Sequence, residues 1–366
     1  MLDPWMQEAV AGVQQTPSLV LHGPTAVLQA RHFERSVQGY FPKATVHYSV
    51  KANPELVGAL AETNVCFMVT DERQLDRVLS VAAADKVTML AQAYTRDMIV
   101  AAASRGVTRF IADSASQASL LAEVAPQATI LCRMSSTVGG TYRSHASLGM
   151  PLKECVDALR SLHSKDVKVG LHCHSFSQNN NLPKWREHFG FVLSAMAAVR
   201  AAKVSLAVID TGGGYPVSYD EQALSLESIF RGSQDIIKQL VDESAGAEIA
   251  FEPGRFIAAP AGIVLMRVIA TKPGVATVDF SCYSGCMDAI LVRQYLPVLK
   301  VLADGAVAPF ADEGVVLRGK LPDSLDILHP SARVAAKEGD LLLMGNAGAY
   351  AFSTDFGPSC MVVVKE

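Results

Sequence analysis

Eight short runs of β-branched and apolar residues, at 45–50, 65–69, 87–90, 109–112, 129–134, 167–173, 206–210 and 248–252, recur along the chain with amphipathic segments between them. The intervening stretches at 54–62, 73–82, 95–104 and 114–125 space their apolar residues at a helical period. Strands that alternate with helices in this way pair in parallel through crossover helices. Eight such units predict an α/β fold in which the sheet closes into a (β/α)8, TIM-like barrel, with its active site at the C-terminal ends of the strands.

After Pro253 the texture changes. The runs 263–268, 274–278, 314–318 and 340–344 read as strands separated by Gly, Pro and Asp, with few long helical segments. The early run 18–22 precedes the barrel and is free to pair with that later sheet. The expected organisation is therefore a barrel over 23–255 and a β-rich domain, a sandwich or barrel, built from 1–22 together with 256–366.

With half of its 366 residues apolar, the chain can bury more than one core. A net charge of -4 gives no support for nucleic acid or an anionic membrane as partner. Residues 1–15 carry Asp3, Trp5 and Glu8 and lack the basic and apolar regions of a secretory signal, and no apolar span approaches membrane length. The seven cysteines, at 66, 132, 155, 173, 282, 286 and 360, are odd in number and form no paired CxxC motif, which fits reduced thiols in the cytoplasm.

The residues with chemical potential fall at the ends of the expected barrel strands. Lys51 follows the first, in Tyr48-Ser49-Val50-Lys51-Ala52-Asn53-Pro54; His174 and Ser177 follow the sixth; Gly212, Gly213 and Gly214 follow the seventh; Glu252-Pro253-Gly254-Arg255 follows the eighth. One pocket would then hold an amine, an imidazole, a glycine-rich backbone and a carboxylate beside an arginine, a set suited to pyridoxal 5'-phosphate. Lys51 would hold the cofactor as a Schiff base. The glycines would let backbone N–H groups approach its phosphate as an anion-binding nest, with Ser177 and Arg255 adding a hydroxyl and a charge. Glu252 would keep the pyridine nitrogen protonated and the ring an electron sink, and His174 would stack on it. Singly, each has a plainer reading: a solvated lysine, a tight turn, a surface turn, a satisfied core histidine. Their joint order along the strand ends favours the functional one.

In these motifs the chain resembles the fold-type III, alanine racemase-like, pyridoxal-phosphate-dependent decarboxylases, which include ornithine, diaminopimelate and biosynthetic arginine decarboxylases. The segment around Lys51 is similar to the family's cofactor-lysine motif, and the segment from Gly170 to Gln178 to its histidine and serine segment. Asp210-Thr211-Gly212-Gly213-Gly214-Tyr215-Pro216 and Phe251-Glu252-Pro253-Gly254-Arg255 resemble its phosphate and pyridine-nitrogen motifs. The resemblance further implies that Tyr350, in Gly345-Asn346-Ala347-Gly348-Ala349-Tyr350, reaches the phosphate and that Arg133 lies close to the lysine. It also implies that Asp323 crosses the interface of a head-to-tail homodimer with two shared sites. No metal is expected.

Four departures bear on the substrate. Pro322 stands where the family places a cysteine thought to reprotonate the α-carbon, which leaves two outcomes: Cys282, Cys286, Tyr283, His174 or a water substitutes, or protonation is less faithful. Phe176 replaces a glycine of the histidine motif, which narrows the space near the phosphate or shifts that loop. Met68 stands where relatives often carry an aspartate near the cofactor. Arg293, in the register of ornithine decarboxylase, takes the place of an aspartate that binds a distal ammonium, and an arginine there attracts a carboxylate instead. With Asp323 and Tyr283 left for an amino group, the expected substrate is an amino acid with a distal carboxylate: a diaminopimelate-like compound or a citryl-diamino acid of siderophore assembly. A decarboxylase of basic amino acids, a racemase, a decarboxylation-transamination enzyme and a non-catalytic paralogue remain as alternatives.

Overall fold

The computed structural model describes residues 2–139, 148–219, 222–350 and 361–365, the last stretch by its backbone alone. The chain divides into two compact units, one of Ala30–Pro216 with Leu224–Gly254, the other of Met1–Gln29, Val217–Ala223 and Arg255–Glu366.

Strand β1 (Ser18–His22) belongs to the second unit, and the first is a closed parallel barrel. Its staves in chain order are β2 (Ala44–Ser49), β3 (Cys66–Val69), β4 (Val87–Leu90), β5 (Arg109–Ala112), β6 (Thr129–Met134), β7 (Val169–Cys173), β8 (Val208–Asp210) and β9 (Glu248–Phe251). Closure is made by β2 and β9, with Thr45 opposite Ala250. Strands covered on both faces need apolar residues at nearly every position, and all five residues of β7 are buried. Met68, Ile111, Leu131, Val208 and Ala250 form an apolar cluster. Met68 is thus a core residue of the barrel, and the methionine at that position extends apolar packing.

The helices begin where the sequence provides caps. Asp71, Thr95, Ser114, Asn181 and Ser225 each accept the backbone N–H three residues on, an arrangement worth about 1 kcal/mol apiece. The helix expected at 54–62 is a 3-10 turn, Pro54–Leu56, running into one short α-helical turn, Val57–Leu60.

At the N-terminal ends of the strands a polar cluster closes the barrel floor. The Arg109 guanidinium donates to both Glu248 oxygens at 2.7 and 2.8 Å, and the Thr45 hydroxyl donates to Oε1 at 2.6 Å. Burial opposes ionisation of Glu248, but His47, Arg109 and Thr45 outweigh it and hold the carboxyl well below the usual carboxylate range.

In the second unit, β10 (Gly262–Lys272), β11 (Val275–Val278), β12 (Val298–Val301), β13 (Val315–Arg318), β14 (Ile327–Ala332), β15 (Leu341–Met344) and β16 (Met361–Lys365) join β1 in one eight-stranded sheet. Strand β1 lies between β10, antiparallel with Leu19 opposite Val264, and β16, parallel to it. Three strands have no counterpart in the sequence reading: β12, β14 and β16. Pro330 within β14 argues against a strand, since proline cannot donate to the ladder. The helix Pro4–Ala11 buries Trp5, Ala9 and Val10 against Val20, Ile263, Leu265 and Leu343.

Arg109→Met is expected to lower unfolding free energy by about 2 kcal/mol, since it leaves a partly buried carboxylate without its main partner. A carboxyl whose folded pKa is depressed stabilises above its unfolded value and loses that contribution as pH falls through the folded one. The deficit of Arg109→Met should therefore shrink as the pH is lowered below about 4.5 in urea titrations. A pH-independent deficit would remove the charge from this account.

Candidate active site

Lys51 sits on the 3-10 turn Val50–Ala52 directly after β2. The turn is pinned by the buried Tyr48, whose hydroxyl donates to the Asn53 carbonyl at 2.8 Å, and by the Asn53 side chain, which accepts the Glu55 N–H at 3.0 Å. The Lys51 side chain is open to solvent, as an amine that must meet a ligand has to be, yet protein crowds it. This desolvation lowers its pKa, Glu252 opposes that, and the Arg133 guanidinium adds to it. Arg133 itself pairs with Asp113 at 3.5 Å.

Glu252 follows β9 and is buried. Its Oε1 accepts from His172 Nε2 at 2.9 Å. Burial would raise its pKa, but His172, then His174 and Lys51, bring it down to about 2. Oε2 accepts no hydrogen bond from the described residues and lies 3.9 Å from His174 Nδ1. That contact is no ion pair, because Nδ1 accepts the Gly213 N–H at 3.1 Å and a nitrogen that accepts an amide proton carries none. His174 is a neutral ring with its proton on Nε2. Burial pushes its pKa down to about 3, with Glu252 opposing and Arg133, His172 and Lys51 assisting. Asp210, at the end of β8, stands next to this group: one ligand atom each of His172, Asp210 and Glu252 lie within 4.8 Å of one another. Burial, then the Glu252 charge, raises Asp210 to about 6, so the neighbouring carboxyls are driven apart and Glu252 keeps the charge.

The glycine run is built differently from the expected nest. The Gly212 N–H is taken by Asp210 at 2.8 Å and the Gly213 N–H by His174, so of the three donors only that of Gly214 has no partner among the described residues. What requires glycine is close approach: a Cβ on Gly213 would lie 2.2 Å from the Glu252 carbonyl oxygen, and one on Gly214 2.5 Å from that of Phe176. Gly214 also has a φ of +100°. At Gly254 a Cβ would come within 2.9 Å of Ser49 Cβ, so this glycine lets β9 and β2 end side by side. The Ser177 hydroxyl has no partner among the described residues. Phe176 packs edge-on against Trp185, with ring centroids 4.7 Å apart.

The remaining expected residues lie in the second unit. Arg255 is not available as a lone charge: it pairs with Asp288 at 2.7 Å, donates to the Tyr219 hydroxyl at 3.0 Å and has the Tyr350 ring 4.6 Å from its guanidinium carbon. A buried guanidinium needs a counter-ion, and the sequence reading had not given it one. Arg293 follows the helix Met287–Leu291 with a left-handed φ of +54°. Its side chain is exposed and meets no carboxylate among the described residues. The Tyr283 hydroxyl donates to Asp323 Oδ2 at 3.0 Å while the Leu325 N–H donates to Oδ1 at 2.8 Å, which fixes the orientation of an exposed carboxylate. Of the substitutes for the missing cysteine, Cys282 is committed elsewhere. Its buried thiol donates to Asp326 Oδ1 at 3.0 Å, and burial together with that bond raises its pKa.

Sequence reasoning passed over His172, Asp210, Asp113 and Asp288. For His172 a signal existed: alternate residues of a strand face the same way, so a histidine two before His174 points with it.

The strand ends of a closed parallel barrel thus carry a lysine, a neutral histidine, and a carboxylate oxygen and a glycine N–H without partners among the described residues, groups that suit an aldehyde cofactor bearing a phosphate. The sequence profile of the family described as "Pyridoxal-dependent decarboxylase, pyridoxal binding domain" matches residues 28–259. The chain belongs to that family, and it is a pyridoxal-phosphate-dependent amino acid decarboxylase, a carboxy-lyase. It is 27% identical to the diaminopimelate decarboxylase of Pseudomonas fluorescens, over 94% of this chain and 85% of the relative. With that of Pseudomonas aeruginosa it shares 26%, over 90% and 83%. Among solved structures it resembles diaminopimelate decarboxylase from Helicobacter pylori complexed with L-lysine, with a TM-score of 0.84 at 18% identity over 98% and 94% of the two chains. Paramecium bursaria Chlorella virus arginine decarboxylase gives 0.83 at 19% over the whole of both. No helix among the described residues is long and apolar enough to cross a membrane.

Gly213→Ala is expected to lose about 1–3 kcal/mol of stability, because its methyl group must displace the Glu252 backbone. Gly58→Ala, whose methyl meets nothing within 4 Å, should stabilise the same barrel. Urea unfolding of the two variants side by side checks both signs.

Proposed function

We propose that the enzyme removes the α-carboxylate of an amino acid that also carries a distal carboxylate, as a diaminopimelate-like or citryl-diamino acid does. The observation that carries this reading is Arg293, an exposed guanidinium without a carboxylate partner among the described residues. The names of the curated relatives support it, since both quoted are diaminopimelate decarboxylases. In this reading Arg293 receives the distal carboxylate. Asp323, oriented by Tyr283, receives a free amine.

In the barrel, Lys51 would hold the cofactor through its amine, and Glu252, with Oε2 open among the described residues, would serve its ring nitrogen. His174 would offer the ring an uncharged surface, and the Gly214 N–H and the Ser177 hydroxyl would serve the phosphate. The cofactor, when bound, supplies the electron sink into which the bond to the leaving carboxylate can break. Glu252 serves this because its neighbours keep it ionised, and Arg133 and Asp113 keep a fixed charge beside Lys51. We further propose a homodimer in which Asp323 serves the partner's site. Exposed apolar side chains on either side of it, Leu321 at 40% and Leu325 at 59%, support a covering partner.

Release of carbon dioxide is the test. The purified enzyme should decarboxylate meso-diaminopimelate and be poor with ornithine and lysine, and Arg293→Asp should weaken the carboxylate-bearing substrate while admitting a basic one. Rapid turnover of ornithine that Arg293→Ala leaves unchanged would overturn the substrate assignment. Lys51→Ala should lose both the visible cofactor band and carbon dioxide release. Glu252→Gln should keep the cofactor and slow turnover by about 100-fold or more. Mixing Lys51→Ala with Asp323→Ala protein should restore activity in hybrid dimers, and no recovery after proven subunit exchange would refute the shared site.

A further inference from the structure

The loop that carries His174 and Ser177 is tied down by a directed chain of hydrogen bonds. His188, buried on the helix Leu182–Ala201, places Nε2 2.9 Å from the Thr211 carbonyl. A carbonyl only accepts, so Nε2 bears the proton and Nδ1 a lone pair. Ser175 Oγ lies 2.7 Å from that Nδ1 and must donate to it. With its one proton spent, Ser175 Oγ accepts from Ser136 Oγ at 2.7 Å, and Ser136 Oγ in turn accepts the Val138 N–H at 3.1 Å. Every link has a single direction. Burial first of all, with His172 assisting and the Thr211 bond opposing, lowers the His188 pKa to about 4 and keeps the ring neutral, which the chain requires.

The chain joins the loops after β6, β7 and β8. The same helix holds the far side of the middle loop: Phe176 packs edge-on against the His188 ring at 5.3 Å, and Trp185 Nε1 donates to the Asn179 carbonyl at 3.0 Å. The Asn179 N–H donates to the Gly214 carbonyl at 2.9 Å, which binds the 174–179 loop to the glycine run. His174 directly precedes the anchored Ser175, and Ser177 directly follows the anchored Phe176.

We propose that Ser175 and His188 are positioning residues for the cofactor: the chain from Ser136 through Ser175 and His188 to Thr211 sets the 174–177 loop so that His174 meets the ring and Ser177 the phosphate. The proposal rests on the cofactor contacts assigned above to His174 and Ser177. Loops hold side chains less rigidly than strands do, and a site needs supporting contacts to keep its groups within a fraction of an ångström.

The test uses the full chain stripped of cofactor and titrated with pyridoxal phosphate and, separately, with pyridoxal, which lacks the phosphate. Ser175→Ala leaves a buried imidazole nitrogen unsatisfied and should weaken pyridoxal phosphate binding about tenfold. The loss should be smaller for pyridoxal, the visible circular dichroism of the bound cofactor should change, and the apo-protein's Tm should stay within a few degrees. Ser175→Thr, which keeps the hydroxyl, should restore both affinity and dichroism. His188→Phe should behave as Ser175→Ala, and His188→Gln, which can both donate and accept, should recover part of the loss. Unchanged affinity and dichroism in Ser175→Ala and His188→Phe would overturn the proposal. So would equal losses for both ligands that Ser175→Thr fails to repair, since that marks a fold defect alone. His174→Ala and Ser177→Ala serve as controls. If neither affects binding, the underlying contacts are wrong and the positioning role falls with them; if both weaken it while Ser175→Ala does not, only the positioning role fails.

Discussion

The hydrogen bond from His172 Nε2 to Glu252 Oε1, 2.9 Å long and buried, determines the electrostatic state of the barrel's upper end. A carboxyl enclosed by protein tends to take up a proton. Here His172, then His174 and the nearby Lys51 amine, keep Glu252 charged, and burial with that charge leaves the proton to Asp210. That charge opposes the lowering of the Lys51 pKa. Its backbone lies close enough to Gly213 that no side chain fits between them, and the same Gly213 N–H fixes the tautomer of His174. One contact thus links the charge of the carboxylate, the neutrality of the histidine and the need for glycine.

The second unit follows the same rule of local compensation. Arg255 is balanced by Asp288, and the Cys282 thiol and two backbone N–H groups, of Cys282 and Leu321, converge on the buried carboxylate of Asp326. Asp323, by contrast, is oriented at the surface by Tyr283 and Leu325. Two aspartates three residues apart, with Pro322 just before the first, therefore have opposite characters. One is buried among its donors, the other exposed.

Much of the fold was legible from periodicity. The eight apolar runs coincide with β2 to β9 to within two residues at either end, because strands buried on both faces are apolar at most positions and the helices between them start at Asp, Ser, Thr or Asn caps. The strands β12, β14 and β16 were not legible. Their burial depends on partners distant in sequence, and Pro330 carries a local signal against the pairing that β14 makes with β13. The short runs of the β unit satisfy their backbone only after the whole sheet has formed.

The candidate site divides along the same line. Lys51, His174, the glycine run and Glu252 could be named from the sequence because each chemistry-bearing residue sits at a strand end, and strand ends can be read from apolar runs. Which N–H each glycine offers, which oxygen of Glu252 stays open and which acid neutralises Arg255 depend on atoms brought together from residues up to 80 apart in the chain, as His172 and Glu252 are. Residue type and order were fixed by the chain itself. Protonation state, tautomer and the choice of hydrogen-bond partner were decided only by the tertiary structure, because each depends on distance and burial, and neither exists until the barrel closes.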